Sequence, residues 1–368
     1  MRENYSVYLP QYSVGPECYD EIGDVTHYFG KKVTIVGGKT ALQKAEPSIK
    51  KAIAKTNLEY LGTVWYGGNS TENNLKAVLN NKLVQDADII FGVGGGRAID
   101  TAKAASDTLN KAYFTFPTVA SNCAPSSAIS VLYNEDGSLS RYYFTKKCPL
   151  HVFINTKIIA DSPEELLWAG IGDALSKECE VELATRNKEL FHTPLIGLKA
   201  AGACTAPLLE FGEKALEAIK AKKPDFAFTQ VVLDIIISTG IASNMTCSAV
   251  NNKLEYYYNS SLAHCFYNAY MALPQGHDYR HGAVVSYGVL ILLTYDGQIE
   301  TRNKIAAFNK KLGLPVTLKE IGITTEKEID IIIDKVPGIS EWKCVPYKAD
   351  QKKYKEAILA VDAYGKTL

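Results

Sequence analysis

Asp88-Ile89-Ile90-Phe91-Gly92-Val93-Gly94-Gly95-Gly96-Arg97-Ala98-Ile99-Asp100-Thr101-Ala102-Lys103 is the stretch on which the reading of this chain turns. Its apolar start, 88–91, predicts a short buried strand, and 98–106, with small residues on one face, predicts a helix lying on a sheet. A strand, a glycine run and a helix start in that order make an anion site. The first N–H groups of a helix have no intrahelical partner and sit at the positive end of the macrodipole. Glycines at 94, 95 and 96 would let a phosphate approach the backbone with no Cβ in the way. The plain alternative is a tight strand-to-helix turn that holds no ligand. The run is neither the Gly-x-Gly-x-x-Gly fingerprint nor the Gly-Lys-Ser/Thr ending of a P-loop, so neither motif is assigned.

On either side the pattern alternates. Upstream, 32–36 predicts a strand, Gly37-Gly38-Lys39 a turn and 40–53 an amphipathic helix; a second strand follows at 59–65, then the loop Gly67-Gly68-Asn69-Ser70 and a helix through Leu79. Downstream, 113–116 predicts a strand ending in Pro117-Thr118. The runs 129–133 and 140–144 flank Asn134-Glu135-Asp136-Gly137, whose Asp-Gly marks a hairpin, and 152–154 closes the series. This alternation predicts a mostly parallel sheet covered by helices, with ligands at the carboxyl ends of its strands. The character changes at Ser162-Pro163-Glu164-Glu165, a helix start with Ser162 as N-cap. Beyond it, 195–222, 226–242, 254–272 and 283–293 read as helices, with no comparable strand. The expectation is an α/β domain over 1–161 followed by an all-helical domain over 162–368.

A chain of 368 residues is long enough for two cores. Its 40 basic and 40 acidic residues balance, which argues against a nucleic-acid partner or a membrane-surface patch. Eight scattered cysteines with no Cys-x-x-Cys pair fit free thiols in a reducing cytosol. The first five residues have no apolar signal core, and the longest apolar run, 284–293, is too short to span a bilayer. A soluble cytoplasmic protein is expected.

Of six histidines, His264, His277 and His281 fall in one segment. His264 lies on a predicted helix and His281 opens another. Imidazoles facing a common cleft suit Zn²⁺ or Fe²⁺, with a carboxylate as third ligand and an open place for substrate. Asp173, within Ala169-Gly170-Ile171-Gly172-Asp173-Ala174-Leu175, is the candidate carboxylate, since a bare Asp among such neighbours needs a partner. The alternative is a helix-capping Asp and two hydrogen-bonded histidines. His277 lies among Pro274, Gly276 and Gly282 and reads as a loop residue rather than a ligand. Cys179 and Cys265 read as small buried hydrophobes. The loop Pro117-Thr118-Val119-Ala120-Ser121-Asn122-Cys123-Ala124-Pro125-Ser126-Ser127 is dense in hydroxyls, which suits phosphate and nicotinamide contacts or an ordinary surface loop. No Gly-x-Ser-x-Gly elbow occurs.

Taken in order, these pieces resemble the metal-dependent (group III, iron-containing) alcohol dehydrogenases, and within them the glycerol dehydrogenase branch. The segments that carry the resemblance are Gly94 to Lys103, Pro117-Thr118-Val119-Ala120-Ser121, Ser130-Val131-Leu132-Tyr133, Ala169 to Ala174, Ala263-His264 with Asn268, and His281-Gly282 with Tyr287-Gly288. The resemblance implies a dinucleotide-binding α/β domain, a helical domain that binds metal and substrate, and an active site between them. It implies a divalent metal, zinc with Fe²⁺ as the other candidate, held by Asp173, His264 and His281, the two histidines keeping the family's spacing of seventeen. It implies a cofactor site lined by Gly94, Gly95, Gly96, Arg97 and Asp100, with Thr118, Ser121, Ser127, Ile129 and Tyr133. The implied reaction is reversible hydride transfer between NAD(P)H and a small alcohol, polyol or 2-oxo acid, with Tyr133 or water as proton relay. Homo-oligomers are common in the family and one is expected here.

Three positions depart from the family pattern. Where glycerol dehydrogenases have an Asp that touches the polyol, this chain has Cys123, a substrate-contact position without its carboxylate. Asn122-Cys123-Ala124 with Leu273-Pro274-Gln275 is more similar to the hydroxycarboxylate dehydrogenases, which reduce 2-oxo acids. After the first predicted strand, Gly38 and Lys39 stand where NAD-preferring members carry an Asp, which favours the 2′-phosphate of NADP; alternatively Lys39 is simply solvated. Arg97 replaces the usual Lys. A 3-dehydroquinate synthase-like or sn-glycerol-1-phosphate dehydrogenase-like enzyme is the alternative, and a non-catalytic cofactor-binding protein is disfavoured because all three metal positions are present.

Overall fold

The structure, a computed structural model, describes residues 5–251 and 253–368. Eight strands come in order along the first part: β1 (Gln11–Val14), β2 (Lys32–Gly37), β3 (Glu59–Trp65), β4 (Ile89–Gly94), β5 (Ala112–Pro117), β6 (Ile129–Tyr133), β7 (Leu139–Phe144) and β8 (His151–Ile154). Six of them form one parallel sheet in the order β1-β8-β5-β4-β2-β3, while β6 and β7 pair as an antiparallel hairpin. β4 lies near the middle with every residue buried, as the short apolar run required. Its side chains alternate between two cores: Ile89, Phe91 and Val93 pack with Ile35, Phe114 and Phe153 on one face, and Ile90 with Val36, Leu75 and Ala102 on the other.

Register brings the loops together. Gly37 pairs with Val93, and Gly94 with Pro117, so the turns after β2, β4 and β5 open along one edge of the sheet. The chain runs from β2 outward to β3 and returns to β4 on the other side of β2. This change of direction leaves a crevice above the carboxyl ends of β2 and β4.

The remainder is mostly helical and shares one core around the helix His281–Tyr295, which is buried on nearly all sides. Four expectations are corrected. β1 was not foreseen: it is short, mostly exposed, and exists through its parallel pairing with β8. Ser162 does not cap a helix; the helix Glu164–Ala174 starts after Pro163, whose ψ of 131° is extended, and no side chain caps it. The span 195–222 breaks into His192–Ala201 and Thr205–Lys220. The span 254–272 is not one helix, and the domain is not all-helical. Lys253–Tyr257 pairs with Cys247–Val250 as a hairpin, and the helix begins only at Leu262. Tyr256 and Tyr258 stack at 5.8 Å, a period-two aromatic row that favours strand over helix.

The helix expected at 226–242 runs on to Thr246. Phe226–Leu233, a π turn at Asp234–Ser238 and Thr239–Thr246 join into 21 helical residues. It is long and apolar enough to cross a membrane, yet most of its apolar stretch is buried in the helical core, with Val231, Ile235 and Ile236 fully covered.

Candidate active site

Small residues set the helix spacing at the site. A Cβ on Gly282 would collide with the carbonyl of Ala169, so the helices Glu164–Ala174 and His281–Tyr295 touch backbone to backbone and bring Asp173 beside His281. A Cβ on Gly288 would stand 2.6 Å from the Ala263 carbonyl; the same close approach delivers His264 from the helix Leu262–Tyr270.

The three predicted ligands do converge. His281 Nε2 lies 3.0 Å and His264 Nε2 3.6 Å from Asp173 Oδ1, and the three candidate ligand atoms lie within 4.8 Å of one another. His264 turns its other nitrogen away: Nδ1 donates to Oε2 of the wholly buried Glu180 at 2.6 Å. Oε1 of Glu180 accepts the backbone N–H groups of Ser261 and His264. Tyr267 packs edge-on against His281, with ring centres 4.2 Å apart. Burial opposes charge on Asp173, but His281 and His264 outweigh it and hold the carboxyl well below its usual range. Burial likewise opposes charge on His264, yet Glu180 and Asp173 raise its pKa to about 10. The buried Glu180 and the half-buried Asp173 thus call for positive charge at this point, from a proton or from a cation. Two imidazoles and a carboxylate, one imidazole oriented by a second carboxylate, are a donor set for zinc or ferrous iron.

Across the cleft lies the glycine run. Gly94 has φ +146°, and a Cβ there would stand 2.9 Å from that of Ala98. Gly95 caps the helix Gly96–Thr108 without a side-chain hydrogen bond, and the first turn holds no acidic residue, so its N–H groups remain open to an anion. A Cβ on Gly96 would meet the Asn122 amide at 2.8 Å. The hydroxyl-rich loop is drawn over this turn by Thr118, whose N–H bonds the Gly94 carbonyl.

A single cleft of about 1610 Å³ joins this cradle to the Asp173 cluster. Gly38, Arg97, Thr118, Ser121, Ser127 and Ile129 line it, and so do Cys123 and Tyr133. The Arg97 guanidinium lies 5.3 Å from the Tyr133 ring centre. Asp100 reaches the wall, but its carboxylate is bound to Lys103 at 3.3 Å and to the N–H of Val131, so it ties the β6–β7 hairpin to the helix Gly96–Thr108. Lys39 follows Gly38 of the wall, and its ammonium sits 4.4 Å over the Trp65 ring. Lys44 is on the wall, paired with Asp161. His277 lies outside the three-ligand cluster, against Gly137 of the hairpin turn, as a loop residue.

Several site residues were missed in the sequence. Glu180 stands seven residues after Asp173, about two helical turns on, a spacing that could have flagged it. Lys103 is buried and donates to the carbonyls of Ala124 and Ser127, holding the hydroxyl-rich loop in place. Glu341, on the wall with its carboxylate taken by Tyr142 and Ser340, comes from a distant segment with no local signal.

A parallel sheet with an uncapped glycine turn at its switch point, facing a His-His-Asp cluster on a helical domain, defines an oxidoreductase of the alcohol dehydrogenase class. Residues 10–156 match the family described as iron-containing alcohol dehydrogenase. The chain is 32% identical over 290 residues to a glycerol dehydrogenase of Citrobacter freundii, covering 75% of this chain and 74% of that protein. A glycolaldehyde reductase of Halobacterium salinarum is 28% identical over 96% of each chain, and hydroxycarboxylate dehydrogenase A of Escherichia coli is 29% identical over 80% and 79%. The crystal structure of glycerol dehydrogenase from Schizosaccharomyces pombe superposes with a TM-score of 0.86 at 25% identity, covering 100% of this chain and 92% of that one. The chain belongs to the iron-containing alcohol dehydrogenase family, in its glycerol dehydrogenase-like branch.

Proposed function

We propose that this alcohol dehydrogenase interconverts a small alcohol, either a polyol or a 2-hydroxy acid, and its carbonyl, with a divalent metal held by Asp173, His264 and His281 and a nicotinamide dinucleotide on the Gly94–Gly96 turn. The observation that carries this reading is the one cleft that joins the open helix N-terminus to the three converging ligand atoms. The bound groups would supply a Lewis acid and a hydride carrier. The chain supplies the rest. Glu180 holds the His264 ring so that Nε2 faces the site. Gly94, Gly95 and Gly96 present backbone N–H groups to the pyrophosphate. Lys103 and Asp100 fix the loop and hairpin that form the walls. Tyr133, on the wall beside Arg97, is the proposed proton relay together with water.

Zinc suits the donor set best, with ferrous iron next. The Gly38 turn carries no carboxylate, which favours NADP; Lys39, stacked on Trp65, adds nothing to that preference. The division near Asp161 fits the end of the sheet at Ile154. Free cysteines throughout fit a cytoplasmic enzyme. Tyr12 and Val14 on the edge strand β1, with Tyr8 and Leu9 just before it, are exposed apolar residues that a second copy would cover in a homo-oligomer.

The test is NADPH and NADH oxidation with dihydroxyacetone, glycolaldehyde and pyruvate after chelation and after metal is restored. Turnover that returns with zinc or iron and is lost in His264→Ala and His281→Ala is expected. Undiminished activity in both variants would overturn the assignment.

A further inference from the structure

The helix Ser176–Thr185 follows Asp173 with only Leu175 between it and the preceding helix, and Leu175 is itself helical in φ and ψ. Lys177 is therefore one helical turn beyond Asp173, with Cβ atoms about 5–6 Å apart. Both residues line the same cleft, as do Cys123 and Ser243. Lys177 is only 6% exposed. Its ammonium donates to Oδ1 of Asn259 at 2.6 Å and to the Asn259 carbonyl at 3.2 Å, both neutral acceptors. Among the described residues no carboxylate lies within ion-pair distance of it.

A buried ammonium without a counter-charge is unfavourable unless something anionic arrives to complete it. The acidic groups nearby are otherwise engaged. Glu180 is bound to His264, and Glu341, on the cleft wall, is held by Tyr142 and Ser340. Glu178 and Asp234 share with Lys177 an influence on Cys204; burial raises the pKa of both, that of Asp234 to about 8. An ammonium has three donors, and Asn259 takes two. Asn259 thus holds the head in place and leaves one donor for a ligand.

We infer that Lys177 is a specificity-determining residue that receives the anionic group of the substrate, so that the cleft is built for a small 2-oxo or 2-hydroxy carboxylate rather than a neutral polyol. This rests on the proposed reaction and narrows its substrate class. In such a molecule the carboxylate is one bond from the reacting carbon. Such a molecule needs an anion anchor on the same wall as the Asp173 cluster, and Lys177 lines that cleft one helical turn away. Cys123 on the same wall brings no carboxylate to repel it.

The experiment compares pyruvate, dihydroxyacetone and dihydroxyacetone phosphate as substrates of the metal-loaded wild type, Lys177→Met and Lys177→Arg. It also measures binding of oxamate, an unreactive 2-oxo acid analogue, by calorimetry. In wild type, pyruvate is expected to be preferred over both other substrates. In Lys177→Met the kcat/KM ratio of pyruvate to dihydroxyacetone should fall by about 30-fold or more, mainly through KM, and oxamate affinity should fall in parallel, as loss of a charge-assisted hydrogen bond predicts. Lys177→Arg, which keeps the charge, should retain most of the preference. Equal losses on both substrates in Lys177→Met, or unchanged oxamate affinity, would overturn the inference. A wild-type preference for dihydroxyacetone phosphate would overturn the carboxylate assignment. Oxamate binding that depends on Lys177 without turnover of any substrate would instead sink the proposed reaction and leave the anion site standing.

Discussion

His264 donates from Nδ1 to Glu180 Oε2 at 2.6 Å, and that single bond decides which nitrogen of the ring faces Asp173. Glu180 has no exposure to solvent and spends its other oxygen on two backbone N–H groups, so the ring has little freedom to turn. Removing such an outer carboxylate commonly lowers metal affinity by about 10–100-fold. Glu180→Gln, which keeps the shape but weakens the acceptor, is therefore expected to weaken zinc binding within that range, read by competition with a chelating dye. Helical content by circular dichroism should be unchanged. Wild-type zinc affinity in this variant would show that Glu180 is only structural.

Gly94 makes a second prediction. Its φ of +146° is one that side chains rarely adopt, and an added Cβ would stand 2.9 Å from that of Ala98. A Gly→Ala change at such a position destabilises by more than about 1 kcal/mol. Gly94→Ala should lower the melting temperature and weaken NADPH binding at least tenfold by fluorescence titration, since the turn that presents the N–H groups must shift. Gly297 has φ +79° with open space around it, so Gly297→Ala, which shares the backbone strain, should cost stability without touching nucleotide affinity.

How far the sequence could be read follows from what each element depends on. The β4 turn and the segments around Asp173, His264 and His281 were legible because glycines and ligands sit in short local patterns with few structural alternatives. β1 was not, since Gln11-Tyr12-Ser13-Val14 becomes a strand only by pairing with β8, more than a hundred residues away. The hairpin at Cys247–Val250 and Lys253–Tyr257 was missed for a related reason: helical flanks on both sides extended the helical reading across a period-two row of aromatics. Lys39 stands beside the turn where the sequence puts it, and its rotamer goes to Trp65. Local sequence does not encode that choice.

Lys103 and Asp100 make the third prediction, one of stability. Both are buried; burial pushes Asp100 up and Lys103 down, and each partly restores the other. Lys103→Met removes the only cation paired with Asp100 among the described residues, along with two hydrogen bonds to the Ala124 and Ser127 carbonyls. Breaking a buried pair from one side costs roughly 3–5 kcal/mol at neutral pH. The deficit should shrink in acid. A carboxyl whose folded pKa is raised takes up its proton on folding, so its penalty is absent below the unfolded value and grows as pH rises above it. Urea denaturation at pH 5 and pH 7.5 should show a larger gap between variant and wild type at pH 7.5; the opposite order would contradict the pairing.

Asp234 makes the last prediction. It sits at the start of the π turn in the helix over 226–246, and burial pushes its pKa up to about 8, with Ser238 pulling it back in part and Glu178 adding to the rise. Between the ordinary carboxylate range and pH 8 the folded chain therefore holds a proton here that the unfolded chain has released. Stability from this group must then fall as pH rises through that window. Asp234→Asn, neutral at every pH and of the same shape, removes the dependence. Melting temperatures across pH 5 to 8 should decline less steeply in the variant than in wild type, and the variant should be the more stable of the two near pH 8. Parallel curves would mean that Asp234 is charged in the folded protein and that a partner at the π turn stabilises it.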